Sequence, residues 1–213
     1  MKRYVYSTLA AVVLSFSMVG ARTIRDFFIS EPGEVFTMLS ENARMDMLDY
    51  YDAGQHGSAG NNMGGRSSLQ KADSAYVSVK MSESSSTEMF LIVNKKDTAI
   101  FVISTYMMPA ADSQVRVFDC NWAELETEKF FKEPTMSDFI VIPDGKKKKK
   151  KDVEAMIEFP IISYSYNPST MELVAKQNLK DYMTVEGYED VSPYLADSLV
   201  YVLKGKKFSL KKK

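Results

Sequence analysis

The segment 86–119 constrains the fold more than any other part of the chain. Its middle portion carries apolar residues at both odd and even positions, and side chains in a strand alternate between two faces. One face has Ala99, Phe101 and Ile103, and the other has Ile100, Val102 and Tyr106. A strand that is apolar on both faces is normally covered on both. The pattern therefore predicts a central strand buried between two layers.

Two further strands flank this central one. Before it, one face carries Met89, Leu91 and Val93, and the other carries Phe90 and Ile92. After it, Val115 and Val117 alternate with polar residues, which is typical of a half-exposed strand. The connections at 94–97 and 109–112 are short, and short connections join antiparallel strands. The segment is predicted to be a three-stranded antiparallel meander.

Three helices are predicted before the meander. The first begins at a capping box formed by Thr23 and Asp26. The second is expected to begin at 30–32, with Val35, Met38 and Leu39 as its apolar stripe, and the third is capped by Ser40. The apolar side of the third helix is predicted to be formed by Met45, Leu48 and Tyr51. The glycine-rich segment 53–65 then predicts a loop.

The remaining elements alternate between short strands and short helices. They are predicted as a strand at 75–81, a helix near 136–140, a helix at 153–157 that ends before Pro160, and two hairpins at 162–175 and 199–210. Helices, a meander and hairpins in this order favour an α+β fold with an antiparallel β-sheet. We expect 22–213 to form a single α+β domain.

The N-terminal segment 1–21 has the features of a signal peptide. Lys2 and Arg3 precede an apolar stretch from Leu9 to Val19, and Val19-Gly20-Ala21 is typical of a cleavage site. The apolar stretch is shorter than the roughly 20 residues of a spanning helix. Removal of the two basic residues changes the formal charge from −1 to −3. The sequence therefore predicts an exported, mildly acidic protein, periplasmic or extracellular. Cys120 lies far from the cleavage site, which excludes a lipoprotein.

Candidate metal ligands are few. His56 is the only histidine and Cys120 the only cysteine, so a zinc site of the usual nitrogen and sulfur ligands is not expected. We expect Cys120 to be a semi-buried thiol at a strand end. Asp46, Asp49 and Asp52 recur every three residues on a helix and are the type of ligand that calcium prefers. A solvated acidic face explains the same spacing. We predict no metal and no cofactor.

Two glycine-containing segments partly match a nucleophile elbow and a phosphate-binding loop. The segment from His56 through Ser58 to Gly60 resembles the Gly-x-Ser-x-Gly elbow of hydrolases, but a helix precedes it where the elbow needs a strand. Gly64-Gly65-Arg66 lacks the lysine and hydroxyl of a phosphate-binding loop. Carboxylates are numerous, and the sequence does not show which of them face one another: Glu124, Glu126, Glu128, Glu186, Glu189 and Asp190. No catalytic residue is predicted.

Six lysines, Lys146 to Lys151, form a run that can contact an anionic surface. A solvated loop is the simpler interpretation of this run and of the tail at 211–213. Nucleic acid is not an expected partner, because the rest of the chain is acidic and no aromatic residues interleave with the lysines.

Several motifs together resemble one family. They are Phe36-x-Met38-Leu39-x-Glu41-Asn42-x-Arg44-Met45-Asp46, Gly64-Gly65-Arg66-Ser67, Glu88-Met89, the segment 109–113, Phe118-Asp119-x-x-Trp122, Ile162-Ser163-Tyr164 and Leu199-Val200-Tyr201. In these motifs the chain is similar to a family of exported Bacteroidales proteins of unknown function. The resemblance implies an exported α+β domain and implies no activity.

Three functional hypotheses follow. The first is an exported non-catalytic protein that binds a partner or an envelope component, of unknown oligomeric state. The second is a carrier of a hydrophobic ligand or a lipoprotein acyl chain, which requires an apolar cavity between sheet and helix. The third is a carboxylate-based hydrolase, which requires two acidic groups that face one another in a concave site.

Overall fold

A computed structural model describes residues 22–94, 97–145 and 148–211. The predicted signal peptide, Lys146 and Lys147 lie outside the described residues. The structure has five α-helices within these ranges: α1 (Ile24–Ser30), α2 (Glu41–Asp52), α3 (Met136–Phe139), α4 (Lys150–Glu154) and α5 (Val185–Val191). Short 3-10 helices occur at Thr127–Lys129, Leu179–Asp181 and Ser192–Tyr194. No helix of the described residues is both long enough and apolar enough to cross a membrane.

Seven antiparallel strands form the larger sheet, and they lie in it in chain order. They are β1 (Ser58–Gly60), β2 (Arg66–Ala72), β3 (Tyr76–Ser82), β4 (Ser85–Asn94), β5 (Asp97–Met107), β6 (Ala111–Phe118) and β7 (Glu124–Leu125). Phe101 of β5 lies opposite Phe90 of β4 and Val117 of β6. The predicted three-stranded meander is confirmed.

Four more antiparallel strands form a smaller sheet. They are β8 (Ile162–Asn167), β9 (Glu172–Gln177), β10 (Ser198–Lys204) and β11 (Lys207–Leu210). Both hairpins expected here are present, and pairing of β9 with β10 joins them into one sheet, with Leu173 opposite Tyr201. The predicted α+β class is confirmed.

The central strand β5 is covered on both faces, as its pattern predicted. On one face Phe101 stacks on Phe90, with ring centroids 5.2 Å apart, and meets the edge of Phe208 from β11 at 5.5 Å. On the other face Ile100 and Val102 are buried against the layer that contains α1 and α2. The larger sheet therefore separates a helical layer from the smaller sheet. Tyr106, which was expected to point inward, is 60% exposed near the end of β5.

The helix expected from 30–32 onward is absent from the structure. The segment between α1 and α2 consists of bends and turns, and Glu31 is buried in it. The Glu31 carboxylate accepts hydrogen bonds from the backbone N–H groups of Glu34, Val35 and Phe36 at 2.6–3.2 Å. Because the side chain satisfies these donors, the segment folds without helical hydrogen bonds.

Two other expectations upstream of the meander need correction. In α2 the buried residues are Arg44, Met47 and Leu48, and Tyr51 is half-buried; of the predicted stripe, Leu48 and Tyr51 face the core, but Met45 is 44% exposed and was wrongly included. The segment 53–65 is not only a loop, because it contains β1, which pairs with β2.

Candidate functional site

A cleft of about 470 Å³ opens where the two sheets meet helices α3 and α4. We call it the carboxylate cleft. Its polar lining comprises Asp112, Ser113, Glu133, Thr135, Glu154 and Tyr164, and its apolar lining comprises Pro134, Met136, Ile157, Pro160 and Ile162. The lining comes from β6, β8, the segment before α3, the end of α4 and the segment after it, which are distant in sequence.

The sheet wall of the cleft is held by side chains of β6. The Asp112 carboxylate accepts a hydrogen bond from the backbone N–H of Ile162, with Oδ1 and N 3.1 Å apart. The Ser113 hydroxyl oxygen accepts another from the N–H of Tyr164 at 3.0 Å and pairs with the Thr105 hydroxyl at 2.8 Å. The free edge of β8 is thereby fixed to the larger sheet, and Tyr164 is fixed within the wall.

The opposite wall is held by two short helices. Thr135 and Asp138 form a capping box at the start of α3, where the Asp138 carboxylate accepts from the Thr135 N–H at 2.8 Å. Helix α4 is anchored by Val153, which is fully buried against Ile140 and Val191. Capping and anchoring fix the backbone beside Glu133 and Glu154, whose side chains line the cleft.

The electrostatic character of the carboxylate cleft is negative. Three carboxylates line it, and none of the described lysines, arginines or histidines does. Partial desolvation in the cleft raises the pKa of the Glu133 carboxyl, and the nearby Asp112 charge raises it further. Like charges that share a cavity disfavour ionisation of each other, and a cation brought between them relieves that cost.

Tyr164 adds a hydrogen-bond donor to the cleft. The residue is only 5% exposed, and its hydroxyl makes no hydrogen bond to any other residue in the described ranges. Burial raises the pKa of this hydroxyl, and the neighbouring Glu133 carboxylate raises it further. The hydroxyl is therefore neutral at physiological pH and remains able to donate to a ligand or accept from one.

The aspartates and glutamates considered from the sequence lie away from this cleft. Asp46, Asp49 and Asp52 are on α2, where Asp52 is paired with Arg25. Within the described part of the chain, no three His, Cys, Asp or Glu residues are grouped closely enough to hold a metal ion. The remaining glutamates are also outside the lining; Glu124, for example, accepts from the Arg116 guanidinium at 2.7 Å.

His56 and Ser58 lie together in an open depression beside Arg66. The Arg66 guanidinium donates a hydrogen bond to the Ser58 hydroxyl at 2.7 Å, and no hydrogen bond joins the His56 imidazole to it in the described structure. Because α2 precedes Ser58 and β1 begins at it, the strand–turn–helix geometry of a nucleophile elbow is not formed.

Gly64 and Gly65 belong to the turn that leads into β2, where the Asn61 side-chain oxygen accepts from the Gly65 N–H at 2.9 Å.

The residues of the cleft were not predicted as a group. Tyr164 was expected on a strand, and Asp112 in the turn before one, but Glu133 and Glu154 carry no local sequence signal. Their relation depends on how β8 packs against β6, which no spacing in the chain reveals. The semi-buried Cys120 at the end of β6 is as expected.

Comparison with known proteins supports the family assignment. The model of the family described as "Protein of unknown function (DUF3256)" matches residues 16–208, which is most of the chain. The chain belongs to this family. A comparison with curated protein sequences finds no match. Among solved structures, a domain of an uncharacterized protein from Porphyromonas gingivalis W83 has a TM-score of 0.77 and 18% identity, covering 89% of this chain and 98% of that one. At this identity the likeness concerns the fold alone.

Residues of two motifs that carry the resemblance to the family have structural roles in this protein. Arg44 is buried, and its guanidinium donates to the backbone carbonyls of Leu39, Ile29 and Glu31 at 2.5–2.9 Å. The Asp119 carboxylate accepts from the backbone N–H groups of Asn121 and Ala123, which closes the turn after β6. These contacts give Arg44 and Asp119 a role in forming the fold.

Proposed function

We propose that this protein is an exported, non-catalytic binding protein that receives a cationic group of its partner in the carboxylate cleft. One observation carries the proposal. Asp112, Glu133 and Glu154 line a single concave site in which none of the described lining residues is basic, and Tyr164, whose hydroxyl has no hydrogen-bond partner among the described residues, lines it as well. A protonated amine or a guanidinium satisfies both features, because it neutralises the carboxylates and offers several hydrogen-bond donors.

Export is proposed from the N-terminal sequence alone. Residues 1–21 have the basic start, apolar stretch and small residues of a signal peptide. The periplasm and the extracellular space both fit this feature. A partner in either compartment is expected to be a protein or an envelope component.

Binding of small cationic probes tests the proposal. N-acetyl-lysine amide and N-acetyl-arginine amide are titrated into the protein while backbone NMR spectra are recorded. We expect shifts at Ile162 and Tyr164, with a Kd on the order of 1 mM, the affinity of a few charge-assisted contacts. N-acetyl-norleucine amide is the uncharged control.

Matched variants assign any binding to the cleft. Glu133→Gln and Glu154→Gln each remove one charge from the lining and are expected to weaken binding several-fold. Glu186→Gln removes the same charge from α5, outside the lining, and is expected to have no effect. Equal binding of the norleucine and lysine probes, or no shift with either cation, contradicts the proposal.

A carboxylate-based hydrolase is the second candidate function. Its support is that Glu133, with a raised pKa, shares the concave site with Asp112, since a general acid of this kind must keep its proton near neutral pH. Release of p-nitrophenol from a panel of p-nitrophenyl glycosides tests it. If the wild-type protein releases p-nitrophenol and Glu133→Gln does not, the result supports the hydrolase and contradicts the non-catalytic role.

The carrier hypothesis requires an apolar cavity between the larger sheet and the helices. Within the described residues this layer is filled by buried side chains, among them Phe27, Phe28, Phe36, Met47 and Met89. A layer filled in this way does not favour a carrier of a hydrophobic ligand.

Contact with an anionic surface through Lys146 to Lys151 is proposed as a secondary property. Lys149, Lys150 and Lys151 are exposed at the start of α4. The Lys148 ammonium lies 5.2 Å from the centre of the Tyr194 ring, so this lysine is held against the protein. These lysines are at the start of α4, whereas Glu154, at its end, lines the carboxylate cleft.

A further inference from the structure

A second concavity adjoins the carboxylate cleft. We call it the apolar groove; it has a volume of about 480 Å³, and its apolar lining is formed by Met156, Ile157, Phe159, Leu179, Tyr182 and Met183. Ile157 lines the groove and the cleft alike. The segment 155–161, between α4 and β8, therefore contributes to both concavities.

The groove exposes aromatic side chains that a packed domain normally covers. Phe159 is 56% exposed and Tyr182 is 38% exposed, and their rings meet edge to face with centroids 6.3 Å apart. Val185, which follows in α5, is 75% exposed. Contiguous apolar surface next to a polar site is a feature of binding surfaces. Met156 and Met183 can adapt to an incoming side chain, because methionine is flexible and polarizable.

The charge of the neighbouring cleft identifies the occupant of the groove. Glu158 lines the groove, and Glu154 and Glu133 line the cleft beside it, while no basic residue is among the described lining of either, so the lining favours a ligand with positive charge. A ligand that fills both sites must carry a cation and an apolar group a short distance apart. A polypeptide offers this combination on neighbouring residues, since an extended chain advances about 3.3–3.6 Å per residue.

We infer that the carboxylate cleft and the apolar groove together bind one segment of a protein partner. The segment presents a lysine or arginine to the cleft and a leucine-like or aromatic residue to the groove. This inference rests on the proposed function, because it assigns the cation of that proposal to a basic side chain. Phe159 and Tyr182 act as the apolar contacts, and Ile157 separates the two subsites.

Synthetic peptides test the inference. A fluorescein-labelled series carries one lysine followed by a leucine after zero, one, two or three glycines, and each peptide has a partner with serine in place of leucine. We expect at least one spacing at which leucine tightens binding about tenfold relative to serine, the effect of burying much of one apolar side chain. Binding is measured by fluorescence anisotropy.

Variants separate the groove from the cleft. Phe159→Ser and Tyr182→Ser are expected to abolish the advantage of leucine while the affinity for N-acetyl-lysine amide is unchanged. Met63→Ser replaces another exposed apolar residue, 79% exposed and outside the groove lining, and is the matched control. Thermal unfolding verifies that each variant is folded; a groove variant that fails to fold is replaced by Val185→Ser together with Met183→Gln.

Each outcome distinguishes the inference from the proposed function. If leucine gives no advantage at any spacing while the lysine amide still binds, the inference is wrong and the proposed function stands. If neither the peptides nor the amide binds, both are wrong. If a peptide with leucine and no lysine binds as well as the combined one, the groove acts alone and the joint site is wrong.

Discussion

Glu88 in the larger sheet accepts a hydrogen bond from the backbone N–H of Tyr166 in the smaller one, with Oε2 and N 3.0 Å apart. The N–H groups of Ile162 and Tyr164 make equivalent bonds to Asp112 and Ser113. Every second N–H along the free edge of β8 is thus satisfied by a side chain of the neighbouring sheet. An edge strand that is covered in this way has few groups left to pair with another chain.

Removal of the Glu88 acceptor is expected to weaken the junction of the sheets. In Glu88→Ala the Tyr166 N–H loses its partner in a half-buried position, and we expect a loss of about 1–3 kcal/mol in the free energy of unfolding. Glu88→Gln keeps an oxygen that can accept and is the matched control. Urea denaturation at neutral pH measures both; equal destabilisation of the two variants contradicts this role.

The same carboxylate makes stability depend on pH. Desolvation raises the pKa of Glu88 above the ordinary value of 4.5. The folded protein therefore retains a proton that the unfolded chain releases, and the stability from this group is fully present below pH 4.5 and lost as the pH rises through the raised pKa. As the pH rises from 4.5 through the raised pKa, we expect the wild type to lose stability relative to Glu88→Gln, which has no carboxyl to ionise at this position. A difference that is constant with pH contradicts the prediction.

Arg44 is expected to be essential for stability. Its side chain is 3% exposed, its guanidinium lies 3.6 Å from the Glu31 carboxylate, and it donates to the backbone carbonyls of Ile29, Glu31 and Leu39, between the end of α1 and the start of α2. Arg44→Ala leaves these acceptors and the buried Glu31 charge without a partner, and we expect a loss of about 3–5 kcal/mol. Arg25→Ala, which removes a more exposed pair with Asp52, is expected to cost at most about 1 kcal/mol. Comparable losses for the two variants exclude the proposed role of Arg44.

The central strand is expected to dominate the stability of the core. Phe101 is fully buried between Phe90 and Phe208, and Phe101→Ala leaves a cavity at the junction of the two sheets. We expect a loss of about 3–5 kcal/mol in the free energy of unfolding. Val93→Ala on β4, where the side chain is 70% exposed, is expected to change it by less than about 0.5 kcal/mol. Calorimetry of the two variants checks the contrast.

The fold could be predicted where a local pattern determines the structure. Alternation of apolar residues predicted β3, β4, β5 and β8, because period two places these side chains on one face. It failed for β2, whose apolar content is low. Ser67 takes an inward position in that strand and satisfies its hydroxyl by donating to the Met81 carbonyl at 2.6 Å. A buried serine of this kind is indistinguishable from a surface serine in the sequence.

Polar side-chain contacts and long-range packing, which apolar spacing does not reveal, explain the other failures. The apolar spacing after Pro32 favoured a helix, but the buried Glu31 carboxylate binds the local N–H groups and Arg44 binds the local carbonyls. The carboxylate cleft depends on residues from separate segments. Only the docking of β8 on β6 brings Tyr164 and Asp112 to the same site as Glu133, and no single segment carries that information.

Cation binding in the carboxylate cleft is expected to depend on pH. The pKa of Glu133 is raised by partial burial and by Asp112, so this carboxyl holds its proton above the ordinary value of 4.5. A protonated carboxyl does not attract a cation, and affinity for N-acetyl-lysine amide should therefore increase as the pH rises through the raised pKa. Glu133→Gln removes this step and leaves weaker binding with a flatter pH profile. Binding titrations with N-acetyl-lysine amide between pH 4 and 8 measure the affinity. If the change of affinity with pH persists in Glu133→Gln, another ionisable group is responsible for it.

The lysines at the start of α4 are expected to bind anionic surfaces only weakly and in a salt-dependent manner. Lys149, Lys150 and Lys151 are exposed, and each basic residue near an anionic membrane contributes about 1 kcal/mol at low salt. Replacement of the three by glutamine should release the protein from vesicles that contain a quarter phosphatidylglycerol, measured by co-sedimentation.

The same replacement of Lys204, Lys206 and Lys207, exposed at the turn between β10 and β11, removes an equal charge from a site outside the run. If both triple variants lose binding equally, net charge explains the contact and the lysine run has no special role, because a local site must respond more to its own charges than to charges removed elsewhere.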